Sequence, residues 1–117
     1  MLLAAACGAP GPKTYDVAKS RTCLIGQNVH VTAPPATDFI ASIALGGAFH
    51  ARLRGNSVTV SFGSNPTNAQ SLDDAYRSAH AKNVGIDDVL RMQGNAVMLW
   101  RQHPTDPQLA LITGCLK

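Results

Sequence analysis

The sequence predicts an α+β domain, a two-layer sandwich in which an antiparallel sheet of four to five strands carries helices on one face. Two observations carry this prediction. Around the motifs RGNSV and QGNAV, apolar and polar residues alternate on both sides of a Gly-Asn pair, which is the pattern of a β-hairpin. A segment with helical spacing of its apolar residues follows each hairpin. We interpret the two copies as a degenerate hairpin-helix repeat.

The chain before the first hairpin predicts a helix over 15–26 and a short strand over 28–32. Apolar residues recur at helical spacing in the first segment, and Gly26 is well placed to end the helix. The run 38–45 remains ambiguous. Asp38 is able to cap a short helix, but an unbroken apolar run of this length also fits a buried strand.

The first hairpin sorts its side chains onto two faces. Pairing outward from a Gly55-Asn56 turn places Phe49 opposite Phe62 and Ala51 opposite Val60, so one face is apolar. The other face is polar and holds His50, Arg52, Arg54, Ser57, Thr59 and Ser61. A slip of one residue would mix the two faces, so this separation favours the hairpin and its register.

Two helices and a second hairpin follow. Pro66 suits the first turn of a helix that we expect to end near 82–83. Around the Gly94-Asn95 turn, Met92 pairs with Val97 and Arg91 pairs with Met98. The last helix begins near Thr105, since Thr105 and Gln108 have the spacing of a capping box.

Length, composition and charge predict one domain over 15–117. A chain of 117 residues that is 45% hydrophobic buries enough surface to fold alone, and it contains no apolar run long enough to span a membrane as a helix. The net charge of +3 is scattered along the chain. We therefore expect no nucleic-acid partner, because sheets that bind RNA need a basic face with two or three stacking aromatic residues.

The N-terminus carries a short apolar stretch, LLAAACG, whose cysteine is Cys7. This stretch resembles the lipobox of bacterial lipoproteins, in which small residues precede the cysteine that receives lipid. The resemblance implies lipidation of Cys7 and export to the outer side of a bacterial membrane, in the periplasm or at the cell surface. Because six residues precede Cys7, we interpret 1–7 as the remnant of a truncated lipoprotein signal and 8–14 as a tether. A coincidental match is the alternative.

The same resemblance bears on the other two cysteines. If Cys7 carries lipid, Cys23 and Cys115 remain as a pair, and an exported protein favours a disulfide between them. Two reduced cysteines are the alternative, because Cys23 falls away from the apolar stripe of its helix.

The second hairpin contains the candidate binding surface. One of its faces holds Val89, Met98 and Trp100. If helices cover the opposite face, these residues lie on the open side of the sheet, with four basic residues as potential neighbours: His50, Arg52, Arg54 and Arg91. An exposed Trp beside Met and Arg is the composition of a recognition patch. The alternative is ordinary core packing beneath the run 39–45.

No residue pattern predicts catalysis. The four histidines show no metal-ligand spacing, and no nucleophile motif occurs, so we expect no enzyme activity, no metal and no cofactor. The leading hypothesis is an exported, lipid-anchored binding or accessory module of the bacterial cell envelope that recognises an envelope protein or component around Trp100. The alternative is a small-molecule-binding protein or an enzyme with a pocket between 33–47 and the sheet. A deep cleft at His50 or His103 with an Asp in reach would favour that alternative.

Overall fold

The computed structural model describes residues 13–79 and 85–117, which contain both helices and strands. The helices are α1 (Val17–Gly26), α2 (Phe39–Ser42), α3 (Pro66–Ala79), α4 (Ile86–Val89) and α5 (Asp106–Gly114). The strands are β1 (His30–Thr32), β2 (Ala48–Leu53), β3 (Asn56–Phe62), β4 (Leu90–Gln93) and β5 (Ala96–Trp100). The predicted end of the second helix near 82–83 lies outside the described residues.

The five described strands form one open antiparallel sheet in the order β1-β2-β3-β5-β4. This arrangement confirms the predicted α+β class. Both predicted hairpins are present, and they meet through the antiparallel pair β3 and β5, which places Val58 opposite Trp100 and Val60 opposite Met98. β3 therefore lies at the centre of the sheet.

The two hairpins differ in register. β4 and β5 pair as predicted, with Met92 opposite Val97 across a Gly94-Asn95 turn. In the first hairpin the turn is instead Arg54-Gly55, so Asn56 belongs to β3 and pairs with Leu53. The predicted register is therefore wrong by two residues. Such a shift preserves the side of the sheet to which each side chain points, so the predicted separation into an apolar and a polar face survives.

Helices cover both faces of the sheet, which corrects the prediction of helices on one face. The Phe49 face, which includes Phe49, Val58, Val60 and Met98, packs against Leu24 of α1 and Ile112 of α5. The Thr59 face, which includes His50, Thr59, Val97 and Leu99, lies under α2 and α3. The physical reason is that β5 is apolar on both faces, with Met98 and Trp100 on one and Val97 and Leu99 on the other, so each face has to be covered.

The predicted repeat is present as an order of elements, since each hairpin is followed by a helix. The two helices nevertheless lie on opposite faces of the sheet: α3 on the Thr59 face and α5 on the Phe49 face.

Local sequence signals explain where the helices begin. Asp16 caps α1 by accepting a hydrogen bond from the backbone N–H of Lys19. The ambiguous run 38–45 contains the short helix α2, and Asp38 caps it through the N–H of Ala41. Thr105 forms the predicted capping box at the start of α5.

The predicted disulfide between Cys23 and Cys115 is present, with 5.4 Å between the Cα atoms. It joins α1 to the C-terminal end of α5, and the two cysteines lie 92 residues apart in the sequence. In the chain-entropy model, closing a loop of that length stabilises the folded state by about 4–5 kcal/mol. No described helix is long and apolar enough to cross a membrane.

The second hairpin turn also holds the N-terminal segment of the domain in place. The buried side chain of Asn95 accepts a hydrogen bond from the N–H of Tyr15 and donates to the carbonyls of Tyr15 and Gly63. Its own N–H donates to the carbonyl of Lys13. The turn is therefore covered by residues 13–15, whereas the first hairpin turn is open at Gly55.

The two turn glycines provide a matched test of this contact. Gly55 and Gly94 both have positive φ angles, +77° and +56°, so alanine strains the backbone at either position by about 1–2 kcal/mol. A Cβ atom at Gly55 meets nothing within 4 Å, but at Gly94 it would lie 2.8 Å from the ring of Tyr15 and clash with Lys13. We expect Gly94→Ala to lower the free energy of unfolding by about 1–3 kcal/mol more than Gly55→Ala, as measured by chemical denaturation. Equal losses would contradict the packing of 13–15 on this turn.

Candidate functional site

The predicted binding patch around Trp100 does not form. Trp100 is 2% exposed and Met98 is 1% exposed, and both belong to the core of the Phe49 face. The prediction of an open sheet face around Trp100 is therefore wrong. The reason is the pairing of β3 with β5, which aligns these residues with the apolar side of the first hairpin. The indole Nε1 of Trp100 is buried and has no hydrogen-bond partner within 13–79 and 85–117.

The remaining patch residues lie in separate places. Val89 is the last residue of α4, and Arg91 donates to the backbone carbonyls of Asp87 and Leu90. His50 and Arg52 belong to the Thr59 face, and Arg54 is part of the first hairpin turn. His50 and Arg52 therefore lie on the opposite face of the sheet from Met98 and Trp100, whereas Arg91 pairs with Met98.

A cavity of about 540 Å³ lies on the Thr59 face, beside the segment that leads into α2. Pro35 and residues 37–40 form one wall, and Tyr76 and Ala79 of α3 form another. Strands β2, β3 and β5 form the floor, and Arg101, just after β5, completes the lining. Its position matches the pocket of the alternative hypothesis, between 33–47 and the sheet. We call it the α2–sheet cavity. Its volume falls within the range of about 300–1,000 Å³ that is typical of small-molecule sites.

Two residues of the predicted patch line this cavity, His50 and Trp100. Trp100 lies at the end of β5, where its register places the ring on the Phe49 face. Apolar side chains also contribute to the lining, including Phe39, Ile40 and Leu99. Phe39 is 70% exposed, so an apolar ring is presented to solvent beside the cavity.

Asp38 and Tyr76 form a polar cluster at the cavity. The Tyr76 hydroxyl donates to the carboxylate of Asp38, with 2.8 Å to Oδ2 and 3.1 Å to Oδ1, and lies 3.3 Å from the hydroxyl of Ser61. Burial raises the pKa of Tyr76 well above its ordinary value, and the bond to Asp38 adds to this effect. The phenol therefore remains protonated and acts as a fixed donor to the carboxylate.

His50 lies on the same face, hydrogen-bonded through Nδ1 to the hydroxyl of Thr59 at 3.0 Å. Its pKa is lowered from the ordinary value of 6.5, mainly because the ring is partly buried and also because Arg52 is near, while Asp38 opposes the shift. The imidazole is therefore neutral at pH 7. Nε2 has no hydrogen-bond partner in the described part of the chain.

The other predicted histidine is placed differently. Nδ1 of His103 lies 2.7 Å from Asp88, and both side chains are exposed at the surface. The pair does not line the α2–sheet cavity. Among the described residues, no three His, Cys, Asp or Glu side chains are grouped as metal ligands.

Sequence reasoning missed the roles of Asp38 and Tyr76. The sequence indicates Asp38 only as a helix cap, and no motif in it singles out Tyr76. A buried Tyr hydroxyl requires a hydrogen-bond partner, and a capping Asp has a spare oxygen, so both residues carried a weak signal. Their proximity depends on tertiary structure.

No known protein family, curated protein or solved structure matches this chain.

The electrostatic environment of His50 can be tested by titration. We expect its imidazole to titrate below pH 6.5 in the folded protein. Asp38→Asn should lower this pKa further because it removes the charge that favours protonation, and Arg52→Gln should raise it. Imidazole C–H resonances in NMR spectra, assigned with His50→Asn, measure both shifts. Movement of the midpoint in the same direction in both variants would contradict this arrangement of charges.

Proposed function

We propose that this domain is a non-catalytic binding module that holds a small, mostly apolar molecule in the α2–sheet cavity. The observation that carries the proposal is a cavity lined by apolar side chains with a few positioned polar groups, the usual composition of a small-molecule site. Phe39, Ile40 and Leu99 offer apolar contacts, and Asp38 and His50 offer hydrogen bonds.

The hydrogen bonding around the cavity favours binding over catalysis. Nδ1 of His50 is bonded to Thr59 rather than to a carboxylate, and no hydrogen bond joins His50 to Asp38. Both oxygens of Asp38 already accept the Tyr76 hydroxyl, and one also caps α2. The groups are therefore arranged to hold one another in place. The one hydroxyl of the described residues that is bonded to the imidazole belongs to Thr59, which is buried, and no carboxylate among them bonds to His50 to orient it, whereas acyl transfer needs an accessible nucleophile and an oriented base.

We further propose that the domain works outside the cytoplasm, attached by lipid on Cys7 to the outer side of a bacterial membrane. Supporting this, the disulfide between Cys23 and Cys115 is compatible with an exported protein. The expected signal remnant, which includes Cys7, lies outside the described residues, as does most of the tether. The membrane is contacted through the lipid alone, and the cavity would receive a component of the envelope.

The cavity is tested with a neutral fluorescent probe, 1-naphthalenemethanol. We expect saturable binding to the folded protein with a dissociation constant below about 1 mM, and at least tenfold weaker binding to Leu99→Trp, in which the larger ring occupies the cavity. Met92→Trp is the matched control, because Met92 lies on the same sheet face but outside the cavity lining. The proposal fails if the probe does not bind, or if Leu99→Trp binds it as well as Met92→Trp does.

The cysteine assignments are tested by mass spectrometry of the protein made from its gene in a bacterium that processes lipoproteins. We expect an acylated Cys7, and Cys23 and Cys115 resistant to alkylation until a reductant is added. Cys7→Ser is the control and should lack the lipid mass and leave the membrane fraction. An unmodified Cys7 in the mature protein would refute lipid anchoring without affecting the cavity.

A further inference from the structure

Asp38 is a carboxylate without an ionic partner at the α2–sheet cavity. It is partly buried, and none of the ion pairs formed by the described residues includes it. Its oxygens are held by two neutral donors, the N–H of Ala41 and the hydroxyl of Tyr76. The structure therefore fixes the position of a negative charge in a largely apolar space without neutralising it.

The basic side chains nearby do not supply the missing counter-charge. His50 and Arg101 are the basic residues in the cavity lining. The partial burial of His50 and the neighbouring Arg52 disfavour the charged form of its imidazole. Arg52 and Arg101 are exposed to solvent, where water and salt screen their charge. Because these side chains do not neutralise Asp38, a bound ligand is the remaining source of a positive charge beside it.

We infer that the molecule held in this cavity is an amine with an apolar body, and that its ammonium group pairs with Asp38. An ammonium N–H donates to the carboxylate in a charge-assisted hydrogen bond, while the body contacts Ile40 and Leu99. Phe39 and Tyr76 add aromatic rings to the cavity lining, which also attract cations. This inference rests on the proposed function and specifies its ligand class.

Three naphthalene probes with the same ring system separate charge from shape. They are 1-naphthylmethylamine, which is cationic at pH 7.4, the neutral 1-naphthalenemethanol, and the anionic 1-naphthoate. We expect the amine to bind at least tenfold more tightly than the alcohol, because one charge-assisted bond replaces a neutral one. The anionic 1-naphthoate should bind most weakly, because the charge of Asp38 repels it.

Two variants test whether a preference for the amine over the alcohol comes from Asp38. Asp38→Asn keeps a capping side chain for α2 but removes the charge, so the amine should lose its advantage while the alcohol still binds. Asp74→Asn is the matched control, since Asp74 is an exposed acid of α3 outside the cavity lining and the same net charge is removed. This control should bind all three probes as the unaltered protein does. Circular dichroism establishes that both variants are folded.

The outcomes distinguish this inference from the proposed function. If the alcohol binds in the cavity and the amine binds no more tightly, the ligand class is wrong and the binding function stands. If 1-naphthoate binds most tightly of the three probes, the inference is overturned in favour of a site for anions at Arg101. If Asp74→Asn removes the preference as Asp38→Asn does, the preference comes from net charge and the inference is wrong. If no probe binds, both proposals fail.

Discussion

The candidate site exists because one face of the central strand β3 is polar and yet buried. Thr59 is 5% exposed and Ser61 is fully buried, so each hydroxyl requires a hydrogen-bond partner inside the protein. His50 provides one partner and Tyr76 the other. Tyr76 then donates to Asp38, and Asp38 fixes the start of α2. The hydrogen-bonding requirement of one strand face therefore positions two helices and the polar groups of the cavity.

The two faces of the sheet serve different purposes. The Phe49 face carries the larger core, in which the ring centroids of Phe49 and Phe62 lie 5.7 Å apart and Trp100 is buried. On this side the disulfide joins α1 to α5. The Thr59 face is less completely filled, since α2 is short and leaves space beside α3. A domain of this size has little stability to spare, so the closed face and the disulfide permit an unfilled cavity on the other face.

Sequence pattern predicted what depends on neighbours along the chain. Alternation around Gly94 predicted the second hairpin with its register, and Asp38 was recognised as a helix cap. Alternation sorts the side chains within one hairpin, but it does not determine how the faces of two hairpins align. The pairing of Val58 with Trp100 determines which faces of the two hairpins align, and it places the only Trp in the core. The contact between Asp38 and Tyr76 was unpredictable for the same reason, since it joins residues 38 positions apart.

The two Gly-Asn pairs identified the hairpins although only one of them occupies a turn. Asn95 lies in its turn, but Asn56 begins β3, one place beyond Gly55. Both side chains nevertheless form hydrogen bonds with the backbone just after the end of a neighbouring strand. The Asn56 side chain, at the start of β3, bonds to the backbone of Gln102, which follows β5. The Asn95 side chain, before β5, bonds to the carbonyl of Gly63, which follows β3. Antiparallel pairing brings the start of each strand beside the end of the other. The side chain of asparagine carries both a donor and an acceptor, so it can hydrogen-bond to the backbone N–H and carbonyl groups of the strand that ends beside it. The shared motif thus reflects a tertiary role as much as a turn preference.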